Sequence, residues 1–238
     1  MKYTVLVFLA VFLCSAASAQ AVKTAQADFD AGCQAYKKGA YEDALIEFKS
    51  VERAAPSGNL YYNMGNTYFR LGRMGLALLY YERARKIAPS EDIDYNIKFA
   101  ANLINDPDYG RGFFSSINQS VLKLVFAAAL LLFSSVISFK LVFPQKKMFW
   151  ALIVSCLIFT AASAVYFVKY GETRRTYAVV VDSGAEVRSG PDNSFKVNFT
   201  LPEGKKVMIL GKSDKWIEIG VKSLGIRGWA EINRFEFI

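Results

Sequence analysis

Histidine is missing from the chain altogether. That single absence removes Ser-His-Asp and Cys-His catalytic arrangements and nearly every protein zinc site. Cysteine is scarce: Cys14 lies near the amino terminus, Cys33 in a helical pattern, and Cys156 inside a long apolar run where Cys33 could not reach it. No disulfide framework follows, and neither Cys33 nor Cys156 has a base beside it in sequence. A G-x-x-x-x-G-K-[ST] phosphate loop is also lacking. Paired carboxylates could still serve a histidine-free glycosidase, but none sits in an apolar cleft that the sequence identifies. The expectation is a non-enzyme without cofactor or metal.

A net charge of +8 suggests nucleic acid until it is apportioned. Residues 20–111 balance 12 basic side chains against 12 acidic ones, residues 112–170 carry 5 basic and no acidic, and residues 171–238 carry 11 and 9. Most of the excess flanks apolar segments, so no nucleic-acid partner is expected.

Those apolar segments run from Val121 to Phe143 and from Met148 to Val168, separated by Pro144, Gln145, Lys146 and Lys147. Each reaches the roughly 20 residues a helix needs to cross the hydrocarbon layer. Lys123 and Lys140 lie near the ends of the first segment, where a long side chain snorkels to the interface. Such a short loop returns the second helix antiparallel, placing the regions before and after the hairpin on one side of a membrane.

The chain opens MKYTVLVFLAVFLCSAASAQ, a basic start, an apolar run and then Ala17-Ser18-Ala19. This reads as a secretory leader over residues 1–19. A lipid anchor at Cys14 is disfavoured because the bulky Phe12 and Leu13 precede it. Export of the amino terminus puts the Lys146-Lys147 loop in the cytoplasm, as the positive-inside bias prefers, although Lys169, Arg174 and Arg175 weaken that bias. The expected location is a bacterial inner membrane with both soluble regions periplasmic.

Between leader and hairpin, Ala31–Pro56 aligns with Met64–Pro89 at a constant offset of 33, pairing Gly32 with Gly65, Gly39 with Gly72, Ala44 with Ala77, Phe48 with Tyr81 and Pro56 with Pro89. Each unit reads as two amphipathic helices joined at a glycine turn, with small residues where backbones approach. The pattern Tyr61, Met64-Gly65, Tyr68, Gly72, Ala77, Tyr81, Ala84, Pro89 resembles the tetratricopeptide repeat, and the first unit follows it more loosely. A further helix, Asp92–Asn105, has Lys98 where the second unit has Gly65 and reads as a cap. The resemblance implies an inner face that binds a peptide or helix of another protein. By position that face holds Phe29, Cys33, Tyr36, Lys37, Tyr62, Asn66, Phe69, Arg70, Tyr95 and Phe99. Packing between units is the alternative for any one of these aromatics. With Cys33 at a groove position, the face does not resemble the carboxylate-clamp subtype. Asn105–Ser120 reads as a connector, in which Phe113 and Phe114 suit either a lipid interface or a loop.

After the hairpin, alternation replaces helical periodicity: Tyr177–Val181, Glu186–Ser189, Lys196–Leu201, Lys206–Leu210, Trp216–Gly220 and Ile226–Ile232 predict six short strands. So small a segment is expected to bury its valines and two tryptophans by closing into an all-β barrel. Ala185–Pro191, Leu201–Val207, Trp216–Ile219 and Gly228–Ala230 resemble the bacterial SH3 domain. That resemblance implies a ligand surface involving Arg188, Trp216 and Trp229, in some relatives for cell-wall peptides. Core or edge packing of the tryptophans is the alternative.

The expected layout is therefore a leader (1–19), helical repeats with a cap (20–105), a linker (106–120), two spans (121–143 and 148–168) around a loop (144–147), a second linker (169–176) and an SH3-like barrel (177–238). This order resembles the Bat proteins of aerotolerance operons in Bacteroides-like bacteria. The resemblance implies a membrane scaffold in an envelope complex with von Willebrand factor A (VWA) domain proteins, linked to stress or oxygen tolerance. The competing reading is an envelope sensor or wall-binding protein that recognises peptidoglycan peptides through the SH3-like region.

Overall fold

A computed structural model describes residues 23–109, 119–143 and 148–238. The leader, Phe113 and Phe114, and the Lys146-Lys147 loop lie outside the described residues. The chain divides into two compact units. One joins the segment ending at Tyr109 to Tyr177–Ile238, and the other spans Gly110–Thr176.

Among the described residues the first unit begins with five helices: α1 (residues 23–37), α2 (Tyr41–Ala54), α3 (Gly58–Arg70), α4 (Met74–Ile87) and α5 (Glu91–Leu103). The repeat of 33 governs their chemistry. Gly39 and Gly72 turn the chain at φ +79° and +74°, values that favour glycine. Ser57 and Ser90 cap α3 and α5 by accepting from the amides of Leu60 at 3.2 Å and Ile93 at 3.3 Å. Phe48, Leu60, Met64, Leu78, Tyr81 and Ile97 are buried between the helices. A short 3-10 turn, Pro107–Tyr109, follows α5.

Seven strands make the rest of this unit: β1 (Tyr177–Val180), β2 (Ala185–Arg188), β3 (Val197–Leu201), β4 (Lys206–Ser213), β5 (Trp216–Val221), β6 (Ile226–Glu231) and β7 (Phe235–Phe237). They form one antiparallel sheet in the order β3-β2-β6-β5-β4-β1-β7. The closed barrel expected from the sequence is thus corrected: the sheet is open, with β3 and β7 as its edges. Strand β7, which alternation did not predict, takes the side of β1 that closure would have used.

The two faces of β1 are covered from different sides. Ala178 and Val180 point into the sheet's own core with Val187, Ile217, Ile219 and Ala230, whereas Val179 between them is fully buried in the helical core. Strand β1 is therefore buried on both faces, which explains its unbroken apolar run YAVVV. Around it the contacts are polar and specific. The Gly75 amide in the first turn of α4 donates to Glu203 Oε1 at 3.0 Å, supplying a carboxylate to a helix whose Arg73 N-cap makes no side-chain cap. A Cβ on Gly75 would lie 2.8 Å from the Val180 carbonyl oxygen. At the other end of α4, Arg83 donates to the Phe237 carbonyl at 2.9 Å and pairs with Glu236 at 3.1 Å, and Lys86 donates to the Ile238 carbonyl at 3.2 Å.

In the second unit, α6 (Gln119–Val142) and α7 (Met148–Thr173) pack along one another. Phe126 stacks on Tyr166 at 4.8 Å and Phe133 on Phe159 at 5.3 Å, a pairing that runs antiparallel. Both helices are long and apolar enough to cross a membrane. Leu124, Leu131, Leu141, Trp150, Leu157 and Phe167 stay exposed on their outer sides.

Candidate functional site

Helices α1, α3 and α5 carry the residues that the repeat register assigned to an inner face, and neighbouring helices bring several of them together. Phe29 packs on Phe48 with ring centres 5.8 Å apart, and Tyr36 meets Tyr41 edge-on at 5.4 Å. Tyr62, Asn66 and Asn96 join Tyr81 in a hydrogen-bonded set. The Tyr81 hydroxyl donates to Asn66 Oδ1 at 2.8 Å, while Asn96 Nδ2 donates to the same oxygen at 3.1 Å and to the Tyr62 hydroxyl at 3.3 Å. Burial pushes the Tyr81 phenol well up, so it stays a neutral donor.

Exposure rises along the face toward α5, which no further helix covers among the described residues. Phe29, Tyr36, Tyr62 and Phe69 are partly buried against the helical core. Tyr95, by contrast, is 68% exposed and stacks at 6.2 Å, nearly parallel, on Phe99, which is 47% exposed and contacts Phe69 at 5.8 Å. Arg70 is exposed at the end of α3, where a hydrogen bond to the Tyr36 hydroxyl raises its already high pKa and keeps it cationic. Burial pushes the Cys33 thiol up, with Asp30 adding to the effect, so Cys33 is a poor nucleophile.

On the sheet, Trp229 pairs with Arg188 and Glu218, and Trp216 pairs with Glu231, all on the face opposite the buried Ile217, Ile219 and Ala230. Both tryptophans are half-buried and neither belongs to the core. Trp216 and Arg188 line a cleft of about 260 Å³ with Glu186, Asn193, Glu231 and Arg234; Trp229 is not among its lining residues. Arg188 is tied down there, donating to the carbonyls of Asn193 at 3.1 Å and Phe195 at 2.9 Å and pairing with Glu186. Its first role is to shape the loop after β2. Arg234 likewise pairs with Asp182.

Residues 58–91 match the tetratricopeptide repeat, and residues 183–234 match the bacterial SH3 domain. No curated protein matches the chain. Both matched families are non-catalytic interaction modules, and among the described residues no group of three or more acidic, cysteine or histidine side chains could hold a metal ion. The chain accordingly carries two interaction modules and two helices long and apolar enough to cross a membrane.

Sequence reasoning missed the residues that join helices to sheet: Gly75, Glu82, Asp106, Tyr109, Val179, Glu203, Lys205 and Lys206. Two signals were present. Gly75 stands in the first turn of α4 where the first unit has Glu42, and β1 lacks alternation.

Proposed function

We propose that the chain is a non-enzymatic scaffold or adaptor, held in a bacterial inner membrane by α6 and α7, that binds other membrane or periplasmic proteins through the inner face of its helical repeats. The observation that carries this reading is the pair Tyr95 and Phe99: two large rings held parallel in solvent by a helix whose opposite face is buried. Rigid, exposed aromatics of this kind are what protein interfaces use as anchors. The contact between the segments before and after the hairpin supports placing both soluble regions in one compartment, and the leader favours the periplasm. The order of modules further supports a BatE-like role, with VWA-domain proteins of an envelope complex as partners and stress or oxygen tolerance as the process.

A second reading, in which the SH3-like sheet recognises cell-wall peptides, is favoured by the charged cleft beside Trp216. Affinity purification from gently solubilised membranes separates the two. Tyr95→Ala and Phe69→Ala are expected to reduce partner recovery about thirty-fold, the effect of losing roughly 2 kcal/mol at a hot spot, with the fold intact by circular dichroism. Unchanged recovery with these variants, but loss of partner or wall binding with folded Trp216→Ala, makes the second reading the correct one.

A further inference from the structure

A charged relay crosses the seam from the sheet to the helix that carries Tyr95. It starts at the β3–β4 turn, where Lys205 is buried and its ammonium lies 2.6 Å from Asp106 Oδ1, 2.7 Å from Asp108 Oδ2 and 3.0 Å from the Ser223 hydroxyl. Asp106 also accepts from the Lys206 amide at 3.0 Å. The Lys206 ammonium reaches Glu82 Oε1 on α4 at 2.6 Å, Glu82 pairs with Arg85, and Arg85 lies 3.6 Å from Asp94 on α5. Glu82, Asp94 and Asp106 are all buried. Asp94 is the immediate neighbour of Tyr95.

The same ammonium of Lys206 sits 5.4 Å from the ring centre of Tyr109 and 4.9 Å from that of Tyr177. These tyrosines end and restart the first unit on either side of the hairpin. The Tyr109 hydroxyl donates to the Gly204 carbonyl at 2.6 Å in a buried bond. Removing the sheet would therefore strip Asp106 of Lys205, leave Glu82 with Arg85 alone, uncover the pocket filled by Val179 and leave α4 without the Glu203 carboxylate. A buried carboxylate that loses its partner is strongly destabilising.

We propose that this seam is a conformational latch: the sheet and α5 dock and open together, so that undocking of the sheet loosens the helix presenting Tyr95 and Phe99. Binding at that face and the state of the sheet are then linked, because a partner that requires ordered α5 favours the docked form. The latch is independent of what the face binds. Its two states are docked and undocked, and the relay from Lys206 through Glu82 and Arg85 to Asp94 is the physical path.

Hydrogen exchange of the full chain in lipid nanodiscs, followed peptide by peptide, tests the latch. Gly75→Leu blocks docking sterically while raising the helix propensity of α4 itself, and a Lys205→Met, Lys206→Met double variant removes the cations. Both are expected to speed amide exchange at least tenfold in β1, β7, the Pro107–Tyr109 turn and α5, with α1 to α3 near wild type. If β1 and β7 exchange faster while α5 keeps wild-type protection, the modules are uncoupled and the latch is wrong. Wild-type protection throughout Gly75→Leu overturns it equally. Should Gly75→Leu expose every helix, the milder Lys206→Gln decides: faster exchange in α5 together with β1 supports the latch, and an unchanged α5 refutes it.

Discussion

Gly65 faces Tyr81 so closely that a Cβ there would lie 2.5 Å from the tyrosine ring, and 33 residues earlier a Cβ on Gly32 would lie 2.6 Å from the Phe48 ring. The repeat is thus a repeated crossing of a glycine against an aromatic ring. Gly65→Leu is expected to cost about 1 to 3 kcal/mol through overpacking. Lys98→Ala, at the equivalent but exposed position of α5, should change little. Thermal melts of the purified chain in detergent compare the two, and an unaltered Gly65→Leu melt rules out the crossing.

Tyr109→Phe keeps the buried ring and deletes only the hydroxyl that serves the Gly204 carbonyl. An unpaired buried acceptor costs about 1 to 3 kcal/mol, so the midpoint of denaturation should fall although packing is conserved. A neutral result would mean that Gly204 finds another donor.

Acid and alkali are expected to weaken the seam for different reasons. Burial acts to raise the Asp108 carboxyl, but hydrogen bonds from Lys205 and Ser223 outweigh it and hold its pKa below the ordinary value. Its contribution is present above the ordinary pKa of about 3.9 and is lost as pH falls through the lowered one. For Lys205, burial acts to lower the pKa and the bonds to Asp106 and Asp108 raise it overall. That contribution is complete below the ordinary pKa of about 10.4 and disappears as pH rises through the raised one. Stability against pH should be flat between about 5 and 9 and fall at both ends. Lys205→Met should flatten the alkaline limb in particular; an identical alkaline limb in that variant would remove Lys205 from the account.

For the proposed topology, a reporter active only outside the cytoplasm should work when fused after Ile238 and fail when inserted at Gln145. Activity at Gln145 with silence after Ile238 reverses the orientation. The contact of Val179 with the helical core adds a stricter demand, since the segments before and after the hairpin must behave alike.

Local periodicity alone determined the helical repeats, the two apolar helices and the positions of six of the seven strands, because each of these is written in spacing a few residues long. The glycine turns at Gly39 and Gly72 and the crossings at Gly32 and Gly65 were legible for the same reason: the repeat states them twice. The inner face was expected from the repeat register as a set of positions on the first helix of each unit. How exposed each position is was not legible, since Asn66 is engaged by Tyr81 and Asn96 while Tyr95 stands in solvent, and that difference depends on whether a neighbouring helix covers it.

Tertiary structure alone decided that the sheet stays open and that helices and sheet share one unit. The alternating strands call for apolar cover, and alternation does not say whether a strand or a helix provides it; the strands bury one face of β1 in a core of their own and α4 covers the other. The partners across the seam, Glu82 with Lys206, Asp106 with Lys205 and Tyr109 with Gly204, are separated by about a hundred residues of chain and follow no period. A charge read along a sequence belongs by default to solvent, and only the burial of these side chains beside one another makes them a joint.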